Sequence, residues 1–313
     1  MVEEKIILAK NSEYPLNGIL TLPDDLSHKV PAVVFVHGSG TSNMDERVGK
    51  LTPFKDLARG LTQRGIASIR YDKRSFAHGL KMIRDKKHVV TVKEETIDDA
   101  IIATELLRKD VRIDSERIYI IGHSMGAMLA PRIDAEGGNY KGLIMMAGSP
   151  LKLEDIMLRQ MSEMIAESNK FMAWIMNKQY QKYADLFAKI DSISDDEAKK
   201  IKMGNGITLY YFKEMSDHIS TLYLEQIDKP MLIMQGAMDC QVSLKEDYMV
   251  YEEILANHRN VTFKLYSTLN HAFVEAISGD ITKVKQEYNV ERHIGDSVID
   301  DIAGWINSNW ENN

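Results

Sequence analysis

A single cysteine, Cys240, occurs among the 313 residues. One cysteine cannot form an internal disulfide, so the fold does not depend on an oxidising compartment. The first ten residues also lack the apolar stretch and the small-residue cleavage site of a signal peptide. These two absences predict a cytoplasmic protein.

Excess positive charge and long apolar runs are absent too. Lys and Arg total 39 against 46 Asp and Glu, a formal net charge of -7, which disfavours attraction to nucleic acid or to an anionic membrane surface. The longest apolar runs, such as residues 32–36 and 143–147, have the length of a strand. A helix that crosses a bilayer needs roughly 20 residues, so we expect no nucleic-acid partner and no membrane partner.

Motifs for a metal or a cofactor are also missing. The sequence has no ligand spacing typical of zinc, no G-x-x-x-x-G-K-[ST] phosphate loop and no G-x-G-x-x-G dinucleotide fingerprint. We therefore expect no metal and no cofactor. What is present is a composition of 44% hydrophobic and 27% charged residues, typical of a globular protein.

Apolar runs of strand length alternate along the chain with segments whose apolar residues recur at helical spacing. The first two runs predict a hairpin, and the later ones are typical of strands buried on both faces. This order predicts an α/β fold with an open, mostly parallel sheet and helices on both faces. The predicted strands are residues 6–9, 17–22, 31–36, 66–71, 117–121, 142–147, 230–236 and 261–266, and the predicted helices lie around residues 54–61, 96–108, 125 onward, 243–257 and 296–310.

The alternation stops between residues 151 and 228, where apolar residues recur only at helical spacing. We interpret this segment as a helical cap insertion in a discontinuous core domain of residues 1–150 and 229–313. The core pattern resumes with the predicted strand at residues 230–236, and Ser243 and Glu246 have the spacing of a capping box, which supports the start of the helix that follows.

Methionines and tyrosines of the insertion allow two interpretations. Met172 and Met176 belong to a methionine stripe that either packs the insertion on the core or lines a flexible acyl pocket. Tyr210, Tyr211 and Phe212 either form an aromatic wall over that pocket or pack within the cap. The candidate substrate contacts are the two methionines and the two tyrosines.

A G-x-S-x-G motif at residues 122–126 lies directly after a predicted strand and directly before a predicted helix. In that context a sharp turn exposes the serine hydroxyl, and the flanking glycines allow the close backbone approach. Ser124 is therefore the candidate nucleophile.

A serine hydroxyl needs an imidazole to accept its proton and a carboxylate to orient the imidazole. Asp239 and His271 each follow a predicted strand of the core, and polar groups at the carboxyl ends of parallel strands gather at one edge. The chain order Ser124, Asp239, His271 is the one that this type of fold requires. We predict that these three residues form a catalytic triad.

Attack on an ester also needs two N–H groups for the negative oxygen. We expect these from the main chain of Met125, after the nucleophile, and of Ser39, in the glycine-rich turn after the first parallel strand. We interpret His37 and His123, which adjoin these turns, as supports of the turns and not as proton carriers.

Five segments of the chain match a known pattern: His37-Gly38-Ser39-Gly40, Arg70-Tyr71-Asp72-Lys73-Arg74, Gly122-His123-Ser124-Met125-Gly126, Gln235-Gly236-Ala237-Met238-Asp239 and Asn270-His271-Ala272-Phe273. With them the sequence resembles an α/β-hydrolase, in particular the capped esterases of the cinnamoyl (feruloyl) esterase and serine-aminopeptidase-like group. The resemblance covers about residues 30–150 and 229–313. It implies the same triad and the same two oxyanion donors.

Two features match only in part. We interpret the charged residues 70–74 as a structural ion-pair turn, with a substrate-facing loop as the alternative. We interpret Cys240 as a packing residue, with a reactive thiol as the alternative.

The expected function is hydrolysis of carboxylic esters of small to medium acyl or aryl-acyl groups through an acyl-enzyme, with the ester and water as partners. A thioesterase or a small-peptide hydrolase would use the same triad, since the cap selects the leaving group. The alternative from another class is a noncatalytic ligand-binding protein with this fold. The sequence leaves a homodimer open.

Overall fold

An eight-stranded sheet forms the centre of the computed structural model, which describes residues 1–85, 89–204 and 206–309. A separate two-stranded sheet lies between residues 202 and 208. In chain order the strands are β1 (Val2–Leu8), β2 (Leu16–Leu22), β3 (Val30–Val36), β4 (Ala67–Tyr71), β5 (Ile113–His123), β6 (Gly142–Met146), β7 (Lys202–Gly204), β8 (Ile207–Thr208), β9 (Met231–Gly236) and β10 (Val261–Tyr266).

The strand order in the large sheet is β1-β2-β4-β3-β5-β6-β9-β10. β1 pairs antiparallel with β2, and β2 pairs antiparallel with β4, whereas every later pair is parallel. The carboxyl ends of β3, β5, β6, β9 and β10 therefore open on one edge of the sheet. The predicted mostly parallel α/β sheet is confirmed.

Helices cover both faces of the sheet. None of those in the described part of the chain is both long and apolar enough to cross a membrane. They are α1 (Pro53–Gln63), α2 (Arg74–Arg84), α3 (Asp98–Lys109), α4 (Met125–Ile133), α5 (Leu153–Ala166), α6 (Lys170–Phe187), α7 (Asp195–Ala198), α8 (Leu209–Asp217), α9 (Ser220–Leu224), α10 (Met249–Ile254), α11 (Val284–Tyr288) and α12 (Asp296–Ser308), with π-helical turns at Lys93–Ile97, Asp134–Gly138 and Leu244–Tyr248 and a 3-10 turn at Ile281–Lys283.

The core consists of two apolar layers, one on each face of the sheet. On one face α1 and α12 pack on the strands, and the rings of Phe35 and Phe54 stack with centroids 4.8 Å apart. On the other face α3 and α4 share a layer with buried residues of α5 and α8, such as Ile156 and Phe212. Because both faces are covered, all seven residues of β3 are buried, which explains its unbroken apolar sequence.

Several elements differ from the sequence-based expectation. α2 was not predicted, and its apolar residues Phe76, Leu80 and Ile83 are more than half exposed. β5 begins four residues earlier than expected, at Ile113. The last predicted helix is present as α12, but its predicted end at Trp310 lies outside the described residues.

In the described part of the chain between β6 and β9, the residues form five helices and the small sheet of β7 and β8. This agrees with the helical character expected for residues 151–228, while their treatment as a separate cap stays a prediction. After β9, Ser243 accepts a hydrogen bond from the N–H of Glu246 at 3.1 Å. That contact is the first half of the predicted capping box.

Two helical glycines provide a matched test of the packing between α1 and α12. A Cβ at Gly60 of α1 would lie 2.4 Å from Cδ1 of Ile299 in α12, whereas a Cβ at Gly304 of α12 would contact nothing within 4 Å. We expect Gly304→Ala to raise the free energy of unfolding by about 0.5–1 kcal/mol through helix propensity. Gly60→Ala should lower it by about 1–2 kcal/mol, since overpacking outweighs that gain.

Urea unfolding followed by circular dichroism measures both variants. Equal effects of the two substitutions would show that α1 and α12 are not in close contact.

Candidate active site

A strained turn joins β5 to α4 at Ser124. The backbone there has φ 55° and ψ -120°, a region that residues with side chains seldom adopt. A Cβ at Gly122 would lie 2.2 Å from the carbonyl oxygen of Gly126, and a Cβ at Gly126 would lie 2.1 Å from that of Val36. Only glycine fits at both positions, so the G-x-S-x-G spacing reflects the close approach of three backbone segments.

Asp239 and His271 are in contact in the loops that follow β9 and β10. Oδ2 of Asp239 lies 2.7 Å from Nδ1 of His271. Oδ1 accepts hydrogen bonds from the main-chain N–H groups of Gln241 and Val242, and the side chain of Gln235 donates to Oδ2. These bonds fix the carboxylate, which then favours the imidazole tautomer with a proton on Nδ1 and a lone pair on Nε2.

His271 lies beside the turn that carries Ser124. Its carbonyl oxygen accepts a hydrogen bond from Nε2 of His123 at 2.8 Å, and the two imidazole rings are 4.7 Å apart between centroids. Since His123 directly precedes Ser124, the loops after β5, β9 and β10 meet at one place. The structure therefore brings Ser124, Asp239 and His271 to the same edge of the sheet.

The loop after β3 lies against the same turn. A Cβ at Gly38 would be only 3.1 Å from Cβ of Ser124. Among the hydrogen bonds of the described residues, none uses the main-chain N–H of Ser39 or of Met125. Both residues line the same cavity as Ser124, and two free N–H groups beside a hydroxyl can stabilise negative charge on a substrate oxygen.

A buried pair of charged side chains links this loop to the histidine. Oε1 of Glu46 accepts a hydrogen bond from the N–H of Gly38 at 2.8 Å, and Oε2 lies 3.0 Å from Nδ1 of His123. Burial alone would lower the pKa of His123, but the Glu46 carboxylate and the His271 carbonyl raise it above its usual value. Burial likewise opposes ionisation of Glu46, yet His123 holds the pKa of that carboxyl below its usual value. His123 thus supports both loops through its two ring nitrogens.

The charged segment of residues 70–74 spans the end of β4 and the beginning of α2. Nε of Arg70 lies 3.0 Å from Oδ1 of Asp45. Nζ of Lys73 donates a hydrogen bond to the carbonyl oxygen of Gly38 at 2.9 Å. These contacts are structural, and they place a buried cation at the loop after β3.

Cys240, next to Asp239, is partly buried. Burial and the neighbouring Asp239 carboxylate raise the pKa of its thiol to about 12. A thiol that stays protonated at neutral pH is a poor nucleophile, which favours the packing role over the reactive one.

A cavity of about 750 Å³ opens above Ser124. Part of its lining comes from the helices after β6, with Leu153, Ile156 and Phe212, and a second wall comes from Phe76 and other apolar residues of α2. Within the described residues, no group of three or more His, Cys, Asp or Glu side chains is placed to hold a metal ion. Most of the residues that line the cavity are apolar, and Ser124 is among them.

The two candidate tyrosines occupy different environments. Tyr211 lines the cavity and is buried, and its hydroxyl donates a hydrogen bond to Oε2 of Glu95 at 2.8 Å. Tyr210 is not among the lining residues, and Nζ of Lys199 lies 4.6 Å from the centre of its ring. Neighbouring residues on one helix point in different directions, so only one of the two reaches the cavity.

Met172 and Met176 on α6 also lie outside the cavity lining. The reason is that α6 packs on α5 rather than on the sheet, and Phe187 at its end is its only buried residue. Met172 is 43% exposed. The structure brings neither methionine to the candidate site.

Sequence reasoning missed Glu46, the partners of Lys73 and the α2 wall. Lys73 was noticed within a charged segment, but its contact with Gly38 has no local signal. Glu46 is one acid in a polar loop. The apolar residues of α2 do recur at helical spacing, at positions 76, 80 and 83, and that pattern could have revealed the helix.

The sequence matches the family described as serine aminopeptidase, S33, over residues 27–275. It is 33% identical over 294 residues to the esterase EstD of Thermotoga maritima, an alignment that covers 93% of this chain and 65% of the relative. The chain thus spans less than two thirds of the length of the curated relatives that it matches.

Solved structures share the fold at low sequence identity. An esterase of Pyrococcus furiosus aligns with a TM-score of 0.56 and 15% identity, covering 98% of this chain and 91% of that one. Est1E of Butyrivibrio proteoclasticus aligns with a TM-score of 0.55 and 15% identity, covering 91% and 96%. These likenesses show the α/β-hydrolase fold.

His37 should make the stability depend on pH. Burial lowers the pKa of His37 to about 4, an effect that Glu46 opposes only in part. Between pH 6.5 and 4 the unfolded chain binds a proton at this residue and the folded chain does not, so stability falls as the pH falls. We expect the free energy of unfolding to fall between pH 7 and pH 4.5 by about 2 kcal/mol less in His37→Gln than in the wild type.

Urea unfolding at the two pH values measures this difference. His293→Gln, at a histidine whose side chain is 64% exposed, is the control and should keep the wild-type dependence. If the free energy of unfolding of His37→Gln depends on pH as strongly as that of the wild type, the prediction is contradicted.

Proposed function

Because the chain belongs to the serine aminopeptidase S33 family of α/β-hydrolases, we propose that it is a serine hydrolase that cleaves carboxylic esters of small to medium acyl or aryl-acyl groups. Ser124 is the nucleophile, His271 the general base and acid, and Asp239 the residue that orients His271. The relative from Thermotoga maritima is an esterase, which supports the ester as substrate.

The contact between Asp239 and His271 carries the proposal. It is a 2.7 Å hydrogen bond between a fixed carboxylate and an imidazole. The main-chain carbonyl of His271 also accepts a hydrogen bond from His123, the residue before Ser124. An acid, a base and a strained serine at one sheet edge, in this chain order, are what acyl transfer through serine requires.

In the proposed reaction, Oγ of Ser124 attacks the ester carbonyl carbon while Nε2 of His271 accepts the hydroxyl proton. The tetrahedral intermediate collapses, the bond from carbon to the leaving oxygen breaks, and His271 gives its proton to the leaving alcohol. Water then attacks the acyl-enzyme with His271 again as base, which releases the carboxylic acid and restores the serine.

The main-chain N–H groups of Ser39 and Met125 form the oxyanion hole in this proposal. Their place beside Ser124 and their lack of hydrogen-bond partners among the described residues support the role. Met125 is the first residue of α4, so its N–H also carries the partial positive charge of the helix N-terminus.

The cavity suggests how the acyl group binds. Its wall after β6 is apolar and buried, with Ile156 and Phe212, and Tyr211 contributes an aromatic surface. We propose that this wall, in the cap of residues 151–228, contacts the acyl or aryl-acyl group. The cytoplasmic location and the homodimer stay predictions.

Thioesters and small amides are the alternatives, since the family description names an aminopeptidase and the same triad acts on all three bonds. Steady-state assays with matched ester, thioester and aminoacyl-amide substrates that share one acyl group separate them. The proposal expects the largest kcat/KM for the ester. A noncatalytic ligand-binding protein would turn over none of them.

Reaction with a fluorophosphonate tests the nucleophile. We expect the wild type to gain one adduct by intact mass, and Ser124→Ala to gain none, because the probe reacts only with an activated serine. Ser39→Ala is the matched control in the same cavity and should still react, since its proposed role uses the main-chain N–H. A wild-type protein that is folded and does not react would contradict the proposal.

Asp239→Asn tests the acid. Because Oδ1 is held by two main-chain N–H groups, the new amide nitrogen must face His271 and force the tautomer with a proton on Nε2. That form cannot accept the serine proton, so we expect kcat to fall by about a thousandfold or more in a variant that still folds.

Asp280→Asn, in the loop ahead of α11, is the control for a carboxylate outside the triad and should keep wild-type kcat. Near-wild-type activity in Asp239→Asn would show that another carboxylate orients the imidazole.

A further inference from the structure

We propose that Lys73 is a positioning residue for the oxyanion hole, since its ammonium group holds the carbonyl of Gly38 and thereby turns the N–H of the same peptide group, that of Ser39, toward Ser124. The inference rests on the proposed hydrolase function and deepens it. Lys73 contacts no reacting atom and acts through the main chain.

Lys73 is 1% exposed and lies two residues after the end of β4. Its main-chain N–H donates to the carbonyl of Ser42 at 3.0 Å, which ties it to the loop after β3. Its Nζ donates to the carbonyl oxygen of Gly38 at 2.9 Å and lies 3.7 Å from Oε2 of Glu95. Burial of an ammonium costs several kcal/mol unless charge and hydrogen bonds compensate, so packing alone does not explain a lysine here.

The geometry of the peptide group transmits this contact. In a planar trans peptide the C=O and N–H bonds point in opposite directions. A carbonyl of Gly38 that points at Lys73 therefore directs the N–H of Ser39 away from Lys73, on the side where the cavity lies. The N–H of Gly38, which belongs to the preceding peptide group, is held as well, by Glu46 at 2.8 Å. Rotation of the peptide group between Gly38 and Ser39 would break the bond from Lys73 to the Gly38 carbonyl.

The charge of Lys73 adds to this geometric effect. A cation at the carbonyl oxygen polarises the peptide group and makes its N–H a stronger donor to a developing oxyanion. Burial lowers the pKa of Lys73 from its usual value, and the carboxylates of Glu95 and Glu46 offset part of that shift. Glu95 is itself held by the hydroxyl of Tyr211, so the ammonium keeps its orientation.

Lys73→Met tests the inference, because methionine fills a similar volume without charge or donor. We expect kcat for the ester to fall by about a hundredfold or more, the effect of one lost oxyanion donor, while KM changes by less than about threefold. The rate of reaction with a fluorophosphonate should fall in parallel. Lys213→Met, at a lysine of α8 that is 13% exposed and paired with Asp195 and Asp217, is the control and should keep wild-type kcat and KM.

Lys73→Arg should recover at least about a tenth of the wild-type kcat, since it restores a charged donor. It also decides the case if Lys73→Met does not fold. Wild-type kcat should decline on the alkaline side as Lys73 loses its proton, and Lys73→Arg should lack that decline because arginine stays charged. An alkaline limb that is identical in both proteins would overturn the inference.

The outcomes separate this inference from the proposed function. A folded Lys73→Met that keeps kcat within about threefold, or that raises KM while kcat holds, overturns the positioning role alone. A wild-type protein that neither reacts with the fluorophosphonate nor hydrolyses esters overturns both. We expect an active wild type, a Lys73→Met variant with reduced kcat and a Lys213→Met variant with wild-type kcat and KM.

Discussion

Close contact between backbone segments at the end of β5 is the constraint on which the candidate site depends. The turn at Ser124 lies so near the end of β3 that a Cβ at Gly126 would overlap the carbonyl of Val36. The same approach places Gly38 against Ser124. Strain at the serine and the nearness of the loop after β3 therefore have one cause, which is the tight packing of adjacent parallel strands at their carboxyl ends.

Such an arrangement needs partners that hold irregular backbone in place, and buried charges provide them. Glu46 binds the N–H of Gly38 and faces His123, whose other nitrogen binds the carbonyl of His271. One buried ion pair thus joins the loop after β3 to the loop after β10 through the turn between them. Removal of either partner would leave an uncompensated charge in the interior, so the loops are coupled energetically as well as in space.

The sequence allowed prediction of features that depend on local pattern. Unbroken apolar runs identified β3 and its neighbours, and the positions of Ser124, Asp239 and His271 after strands indicated where the chain would bring them. It could not reveal Glu46 or the bond from Lys73 to Gly38, because those contacts join residues far apart in the chain and depend on packing depth. Local pattern was also insufficient for Met172 and Met176. Helical spacing identified their helix, but it could not show that α6 packs on α5 and directs them away from the cavity.

The two walls of the cavity differ in their exposure to solvent, and this difference bears on whether a substitution changes substrate affinity or kcat. Ile156 and Phe212 belong to the buried core, whereas Leu80 of α2 is 73% exposed. A ligand that covers the α2 wall removes apolar surface from water, at about 25 cal/mol per Å², and this gain does not change between ground state and transition state. The hydrogen bonds at Gly38 and His271 are present without a ligand, and in the proposed reaction they would act on charge that develops only in the transition state. Affinity would then follow changes on α2, while kcat would follow changes in the buried loops.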